Sequence, residues 1–232
     1  MTSFSNINTI ILDMDGLMVD TETYQSQAFF KLMREYNVNL PQEYFVKLVG
    51  IAPRENFIMI KKDFGIKEDL EILLNKRKKY YFDIISNVNL KPFDGLREIF
   101  DFAEKRRWYR GVGSSSARDE VILVLGLILK SLGIREKPED FFDSIVTGSD
   151  VKNTKPHPEI YLTVAKNLGV VPNSCLVLED SESGIISAKK AGMVCIGVKN
   201  QYTKNHDLSY ADIVVNNLLE VVDLLRNDKR GD

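Results

Sequence analysis

Short apolar runs separated by segments of helical periodicity dominate the pattern of the chain. Six of these runs are typical of buried β-strands: Asn8–Leu12, Tyr109–Gly113, Asp143–Thr147, Cys175–Leu178, Val194–Val198 and Ala211–Val215. Segments with a helical pattern lie between several of them: Gly95–Arg106, Ala117–Leu132, Pro158–Leu168 and Gly184–Ala191. Such alternation indicates a parallel sheet with helices on both faces. The pattern therefore predicts an α/β fold with a doubly wound, Rossmann-like sheet, in which ligands bind at the carboxyl ends of the strands.

The stretch from residue 21 to residue 91 differs, because its helical periodicity is not interrupted by a strand-like run. Four helices are predicted there: Glu22–Tyr36, Gln42–Val49, Arg54–Phe64 and Glu68–Ile85. Leu90, Pro92 and Gly95 then return the chain to the α/β pattern. We therefore predict a small helical cap domain at residues 21–91, inserted after the first strand of a core formed by residues 1–20 and 92–232.

The composition narrows the class of protein. The chain has 232 residues, of which 44% are hydrophobic, and this is enough for one sizeable core, or for one core and a small second domain. The net charge of −2 gives no field that would attract nucleic acid or anionic lipid nonspecifically. No signal peptide and no membrane span are indicated, and Cys175 and Cys195 are expected to be buried thiols. We expect a cytoplasmic, monomeric enzyme.

Two acids, Asp13 and Asp15, follow the first predicted strand directly and precede Gly16. Gly16 permits the chain to turn at this point. Such a pair can bind a divalent cation through one carboxylate and a backbone carbonyl, and it leaves the other carboxylate for proton transfer. The alternative is a polar cap at the end of a strand, and so short a motif does not decide between the two.

Glu179 and Asp180 end the apolar run Cys175–Leu178 in the same way. Two adjacent acids after a buried strand are costly unless a cation or hydrogen bonds compensate their charge. If the strands are neighbours, these acids face Asp13 across the crevice of the sheet. The alternative is that Asp180 or Ser181 caps the next helix, and both roles are compatible.

Two further segments contain candidate phosphate-binding groups. Ser114, Ser115 and Ser116 stand between a strand and a helix, where hydroxyl and backbone N–H groups can bind phosphate, although helix capping is the better explanation for any one of them. Lys155 precedes the helix that starts near Pro158. A lysine near carboxylates can balance their charge and bind a phosphoryl oxygen, whereas an isolated lysine would be a surface residue.

In this order, the segments resemble the haloacid dehalogenase-like hydrolases, and closely the subgroup with a helical cap after the first strand. The matching segments are DMDGLMVDTE (Asp13–Glu22), GVGSSS (Gly111–Ser116), VKNTKPHPEIYL (Val151–Leu162) and CLVLEDSESGIISAKKAGM (Cys175–Met193). The resemblance covers nearly the whole chain and includes the four family motifs in order.

The resemblance implies covalent phosphoryl transfer. Asp13 would be the nucleophile that forms an aspartyl-phosphate, and Asp15 would be the general acid and base. Ser114 would bind the transferring phosphoryl group, and Lys155 would stabilise the aspartyl-phosphate.

The resemblance also implies a bound Mg²⁺. Its ligands would be Asp13, the backbone carbonyl of Asp15, Asp180 and, with it, Glu179.

The predicted cap offers candidate substrate contacts. The segment Leu48–Glu55 resembles the substrate-reading loop of the family, which makes Arg54 a candidate, although an exposed arginine that starts a helix is as good an explanation. The cluster Lys76–Lys79 is interpreted as a solvated face, from which Lys78 could reach a substrate anion. Gln25 stands where related β-phosphoglucomutases have a histidine that couples cap closure to acid–base chemistry, and its presence argues against a mutase.

Three functions follow from these expectations. The first is Mg²⁺-dependent hydrolysis of a small phosphate monoester, such as a sugar phosphate. The second is a phosphomutase that uses the same aspartyl-phosphate, and the third is a non-catalytic protein that binds a phosphorylated metabolite. The intact acids Asp13, Asp15 and Asp180, together with Lys155, favour the first function over the third.

Overall fold

The computed structural model describes residues 4–48, 53–201, 203 and 206–227. The chain divides into two compact units. Met1–Asp20 and Lys91–Asp232 form one of them, here named the α/β unit, and Thr21–Leu90 form the other, here named the helical unit. Residues 49–52 of the candidate substrate-reading segment lie outside the described residues.

The described part of the helical unit contains four helices: α1 (Glu22–Glu35), α2 (Gln42–Val46), α3 (Pro53–Phe64) and α4 (Leu70–Ile85). Its core includes Phe29, Leu32, Phe57 and Leu73, and the rings of Phe29 and Phe57 lie 5.0 Å apart. Helix α4 begins two residues later than predicted because Asp69 caps it, accepting hydrogen bonds from the backbone N–H groups of Glu71 and Ile72.

The interpretation of Lys76–Lys79 as a solvated face is wrong at Arg77. This side chain is only 2% exposed, and its guanidinium lies 5.0 Å from the ring of Tyr81 and 5.5 Å from that of Phe29. The reason is periodicity, because Leu73, Arg77 and Tyr81 recur every four residues on the buried stripe of α4. Cation–π contacts with the two rings compensate part of the cost of burying the charge.

The α/β unit is built on a six-stranded parallel sheet in the order β3-β2-β1-β4-β5-β6. Its strands are β1 (Thr9–Leu12), β2 (Tyr109–Gly113), β3 (Ser144–Val146), β4 (Cys175–Glu179), β5 (Val194–Val198) and β6 (Ile213–Val215). Its helices are α5 (Leu96–Arg106), α6 (Arg118–Ser131), α7 (Pro138–Phe141), α8 (Glu159–Leu168), α9 (Glu182–Lys190) and α10 (Leu218–Asn227), with one 3-10 turn at Pro172–Ser174. The predicted doubly wound parallel sheet is confirmed.

The register of the central strands places their polar ends side by side. Leu12 of β1 pairs with Val112 of β2 and with Leu178 of β4, and all three are fully buried. The chain order of the strands reverses between β1 and β4, and a crevice opens at such a point outside the carboxyl ends of the strands. The acids that follow β1 and β4 therefore meet at this edge.

The long apolar run Val121–Leu129 lies within α6. Val121, Val124, Leu125, Ile128 and Leu129 are its buried apolar residues, and their spacing is that of one face of a helix. Across the described part of the chain, no helix combines the length and the hydrophobicity needed to cross a membrane. Cys175 and Cys195 are buried free thiols, as expected.

Candidate active site

Asp13 is the first residue after β1, and its backbone N–H still donates to the carbonyl of Leu178 in β4. This bond extends the hydrogen-bond ladder of the sheet by one residue and fixes the backbone position from which the Asp13 side chain projects. Asp13 is 7% exposed, so its carboxylate is largely removed from water. Its Oδ1 atom accepts a hydrogen bond of 2.6 Å from Nζ of Lys155, whereas Oδ2 makes no hydrogen bond within the described residues.

Lys155 is the buried cation of the site. Its Nζ lies 2.6 Å from Oδ1 of Asp13 and 2.6 Å from Oε1 of Glu179, and its side chain is only 4% exposed. Burial alone would lower the pKa of Lys155, but the carboxylates of Asp13 and Glu179 outweigh burial and raise it above its ordinary value. Lys155 is therefore charged at neutral pH and holds the ends of β1 and β4 together.

Glu179 is surrounded by hydrogen-bond donors. Besides Lys155, the hydroxyl of Tyr161 donates to Oε1 at 2.6 Å. The backbone N–H groups of Asp180 and Ser181 and the hydroxyl of Ser181 donate to Oε2. These five donors are more than the roughly four lone-pair positions that a carboxylate offers, so both oxygens are fully engaged. In this arrangement Glu179 orients Lys155, and it could ligate a metal only by exchanging one of these donors.

The three serines after β2 have different environments. Ser116 donates from Oγ to Oδ2 of Asp15 at 2.7 Å, whereas the contact from Ser114 to the same atom is 3.4 Å long and weak. The backbone N–H of Ser116 donates to Oγ of Ser114, which is buried, and Ser115 is exposed. The structure thus places Ser116 against the candidate acid and base Asp15.

An excess of negative charge is buried at this edge of the sheet. Carboxylate oxygens of Asp13, Glu179 and Asp180 lie within 4.8 Å of one another, and Lys155 supplies a single positive charge among them. Burial raises the pKa of Asp13 well above its ordinary value, the charges of Glu179 and Asp15 raise it further, and Lys155 opposes the rise. Buried carboxylates need such compensation, and oxygen ligands suit a hard divalent cation. The residues present therefore fit a divalent metal.

Two of the three candidate residues of the helical unit contact a neighbouring side chain of the same unit. Arg54 lies in the first turn of α3 and forms an exposed ion pair with Glu71 of α4. Gln25 is half-buried in the first turn of α1. Lys78 holds its ammonium 5.6 Å from the ring of Phe82. A substrate role for these three residues stays a prediction.

Replacement of Gly16 by a larger residue is expected to lower the catalytic efficiency. Its φ is +81°, and a Cβ atom there would lie 2.5 Å from Oδ2 of Asp180 and 2.8 Å from Nδ2 of Asn200. Gly16→Ala should cost about 1–2 kcal/mol in strain and displace Asp180, and we expect kcat/KM to fall at least about tenfold. Gly192→Ala is the matched control, because its φ is +76° and no atom lies within 4 Å of the added Cβ. Equal activities of the two purified variants would contradict this assignment.

Sequence reasoning passed over three residues that the structure brings into the site. Tyr161 was part of the apolar face of a predicted helix, and its hydroxyl binds Glu179. Asn200 follows β5 and contacts Asp180. Gly184 lies so close to Glu179 that a Cβ atom would sit 1.8 Å from Oε1. Only the position of Asn200, just beyond a predicted strand end, was a usable signal.

Comparison with known proteins agrees with this geometry. Residues 10–198 match the family model described as haloacid dehalogenase-like hydrolase. A phosphorylated carbohydrates phosphatase of Thermotoga maritima is 32% identical over 190 residues, which are 81% of this chain and 82% of that protein.

Two solved structures share the fold. A β-phosphoglucomutase of Clostridium difficile is 29% identical, with a TM-score of 0.77 and coverage of 96% of this chain and 98% of that one. The CbbY protein of Rhodobacter sphaeroides, solved with xylulose-(1,5)bisphosphate, has a TM-score of 0.81 at 21% identity, with coverage of 92% and 96%. The family match over most of the chain confirms the resemblance seen in the motifs, and the chain belongs to the haloacid dehalogenase-like hydrolases, a family in which its relatives include named phosphatases.

Proposed function

We propose that this protein is a Mg²⁺-dependent phosphatase that hydrolyses a small phosphate monoester through an aspartyl-phosphate on Asp13. The observation that carries the proposal is the buried Lys155, whose ammonium joins Asp13 to Glu179 inside an acidic cluster at the carboxyl edge of the sheet. A phosphoryl group in transfer carries spread negative charge, and a fixed cation beside the attacking carboxylate stabilises it.

Asp13 is suited to nucleophilic attack. Lys155 fixes its Oδ1 atom, and Oδ2 has no hydrogen-bond partner among the described residues, so it keeps its lone pairs for phosphorus. In the first step an oxygen of Asp13 forms a bond to phosphorus while the bond from phosphorus to the alcohol oxygen breaks. Water then attacks the phosphorus, the bond to Asp13 breaks, and inorganic phosphate leaves.

Asp15 is suited to move the protons of both steps. Its carboxyl group gives a proton to the leaving alcohol oxygen and later removes one from the attacking water, so its protonation state is restored after a cycle. The hydroxyl of Ser116 holds one oxygen of Asp15 at 2.7 Å, which fixes the direction of the carboxyl group. Ser114 is proposed to bind the transferring phosphoryl group.

The metal is proposed to be Mg²⁺, bound by Asp13, Asp180 and the backbone carbonyl of Asp15, with Glu179 orienting Lys155. When bound, it supplies positive charge to the phosphoryl oxygens and neutralises the excess of buried carboxylates. This assignment accounts for three buried acids near one lysine.

Removal of the metal is expected to abolish phosphate release. In a panel of phosphorylated metabolites rich in sugar phosphates, chosen because a relative is named for phosphorylated carbohydrates, EDTA should lower the rate at least about 100-fold. This factor follows from the several kcal/mol that a metal contributes to stabilising transition-state charge. Excess Mg²⁺ should restore the rate. A rate that is unchanged after exhaustive chelation would contradict the metal assignment, and binding without turnover would favour the non-catalytic alternative.

A phosphomutase is the second candidate, because a β-phosphoglucomutase with 29% identity shares the fold over nearly both chains. Gln25, in place of the histidine of the mutases, argues against it. Assays with β-glucose 1-phosphate separate the two functions. Formation of glucose 6-phosphate that requires glucose 1,6-bisphosphate would establish the mutase, and release of inorganic phosphate without the bisphosphate would establish the phosphatase.

A further inference from the structure

Asn200 lies at the same edge of the sheet as the candidate metal ligands, two residues beyond the end of β5. Its Nδ2 atom donates to Oδ2 of Asp180 at 2.5 Å and to the backbone carbonyl of Gly16 at 3.0 Å. One amide group therefore touches both segments that follow β1 and β4. These two segments are the ones that carry Asp13, Asp15 and Asp180.

The orientation of this amide is determined by its other end. Oδ1 of Asn200 accepts hydrogen bonds from the backbone N–H of Thr203 at 2.8 Å and from its hydroxyl at 3.0 Å. Turning the amide over would direct an oxygen at the Asp180 carboxylate and a donor at the N–H of Thr203. Both contacts would be repulsive, so Nδ2 is held toward the acid.

We propose that Asn200 is a positioning residue of the metal site, which holds the Asp180 carboxylate against the turn at Gly16 through its Thr203-anchored amide. The inference rests on the proposed function, in which Asp180 binds the metal. A neutral amide is suited to this task, because it restricts the carboxylate without supplying a positive charge that would compete with the metal. The close packing agrees, since even a methyl group on Gly16 would lie 2.8 Å from Nδ2.

The test measures metal binding directly, by titration of the metal-free full chain with Mn²⁺ and detection of free Mn²⁺ by electron paramagnetic resonance. Asn200→Ala is expected to raise the Kd for Mn²⁺ about 10- to 100-fold, as loss of groups that orient a ligand generally does. Thr203→Val keeps the backbone donor and removes one neutral hydrogen bond, so we expect a rise of about two- to tenfold. At saturating Mg²⁺, the Asn200→Ala variant should reach most of the wild-type kcat.

Asn216→Ala is the matched control, because Asn216 follows β6 at the same edge but donates to Glu220 rather than to the site. Its Kd should stay within about twofold of the wild-type value. If the wild-type chain binds Mn²⁺ and both Asn200→Ala and Thr203→Val bind it equally well, this inference is overturned and the proposed function stands. If the wild-type chain binds no metal, the proposed function itself fails. If the Asn200→Ala variant does not fold, the Kd of the Thr203→Val variant for Mn²⁺ decides whether the inference holds.

Discussion

Replacement of Lys155 by methionine should lower the free energy of unfolding by about 3–5 kcal/mol at neutral pH and abolish turnover. In the wild-type chain, Nζ of Lys155 lies 2.6 Å from a carboxylate oxygen of Asp13 and 2.6 Å from one of Glu179. The methionine fills a similar volume but leaves the two carboxylates without this shared cation. An uncompensated buried charge is among the most costly defects in a protein. Urea denaturation of the metal-free protein measures the loss.

The pH dependence of this variant gives a second test. The folded-state pKa of Asp13 is already raised by burial, and the loss of Lys155 removes the group that opposes the rise. A group whose pKa is raised on folding contributes stability below its unfolded pKa of about 3.9 and loses that contribution as pH rises through the folded value. The deficit of Lys155→Met relative to the wild type should therefore be smaller at pH 5 than at pH 8.

Lys152→Met is the control for both measurements, because Lys152 is exposed in the same loop. We expect its stability to stay within about 0.5 kcal/mol of the wild-type value at either pH. If Lys155→Met were as stable as this control at pH 8, the charge balance described for the site would be incorrect.

Replacement of Asp13 by asparagine should lower kcat at least about 10³-fold, because the amide cannot form the acyl phosphate bond on which both chemical steps depend. The fold should be preserved or slightly stabilised. Asparagine has nearly the same shape, its carbonyl can still accept from Lys155, and one buried negative charge is removed.

Initial rates on the best substrate of the panel, together with thermal unfolding, measure both effects. Asp101→Asn is a suitable control, because this exposed acid on α5 pairs with Arg97 in the preceding turn, away from the site, and its replacement should leave kcat unchanged. Residual Mg²⁺-dependent activity above about 1% of the wild-type rate would rule out Asp13 as the nucleophile. Acid quenching during turnover should trap a phosphorylated wild-type chain and none of the Asp13→Asn protein.

Much of the architecture could be predicted from local pattern. Each of the six apolar runs contains a strand, and the helices between them follow the periodicity of their buried residues. Chain order and hydrophobicity suffice to predict the strands, because a buried parallel strand must be apolar on both faces. The residue that follows each strand at its carboxyl end then lies at the crevice where ligands bind. Asp13, Ser114 and Glu179 could be predicted as site residues for this reason, since buried polar groups at strand ends are costly unless a ligand or hydrogen bonds compensate them.

What the tertiary structure alone decided is how these groups share their partners. Glu179 accepts hydrogen bonds at Oε1 from Tyr161 and Lys155, 18 and 24 residues away in the chain, and its role as a metal ligand stays a prediction. Asn200 contacts Gly16 across 184 residues, and its place just beyond a predicted strand end does not by itself predict this contact.

By itself, the sequence determined the family, the sheet and the acids at its carboxyl edge, because periodicity and motif order are local properties. The pairing of those acids with one lysine, and the amide that orients Asp180, depend on strand register and on side-chain directions that only the packed sheet defines.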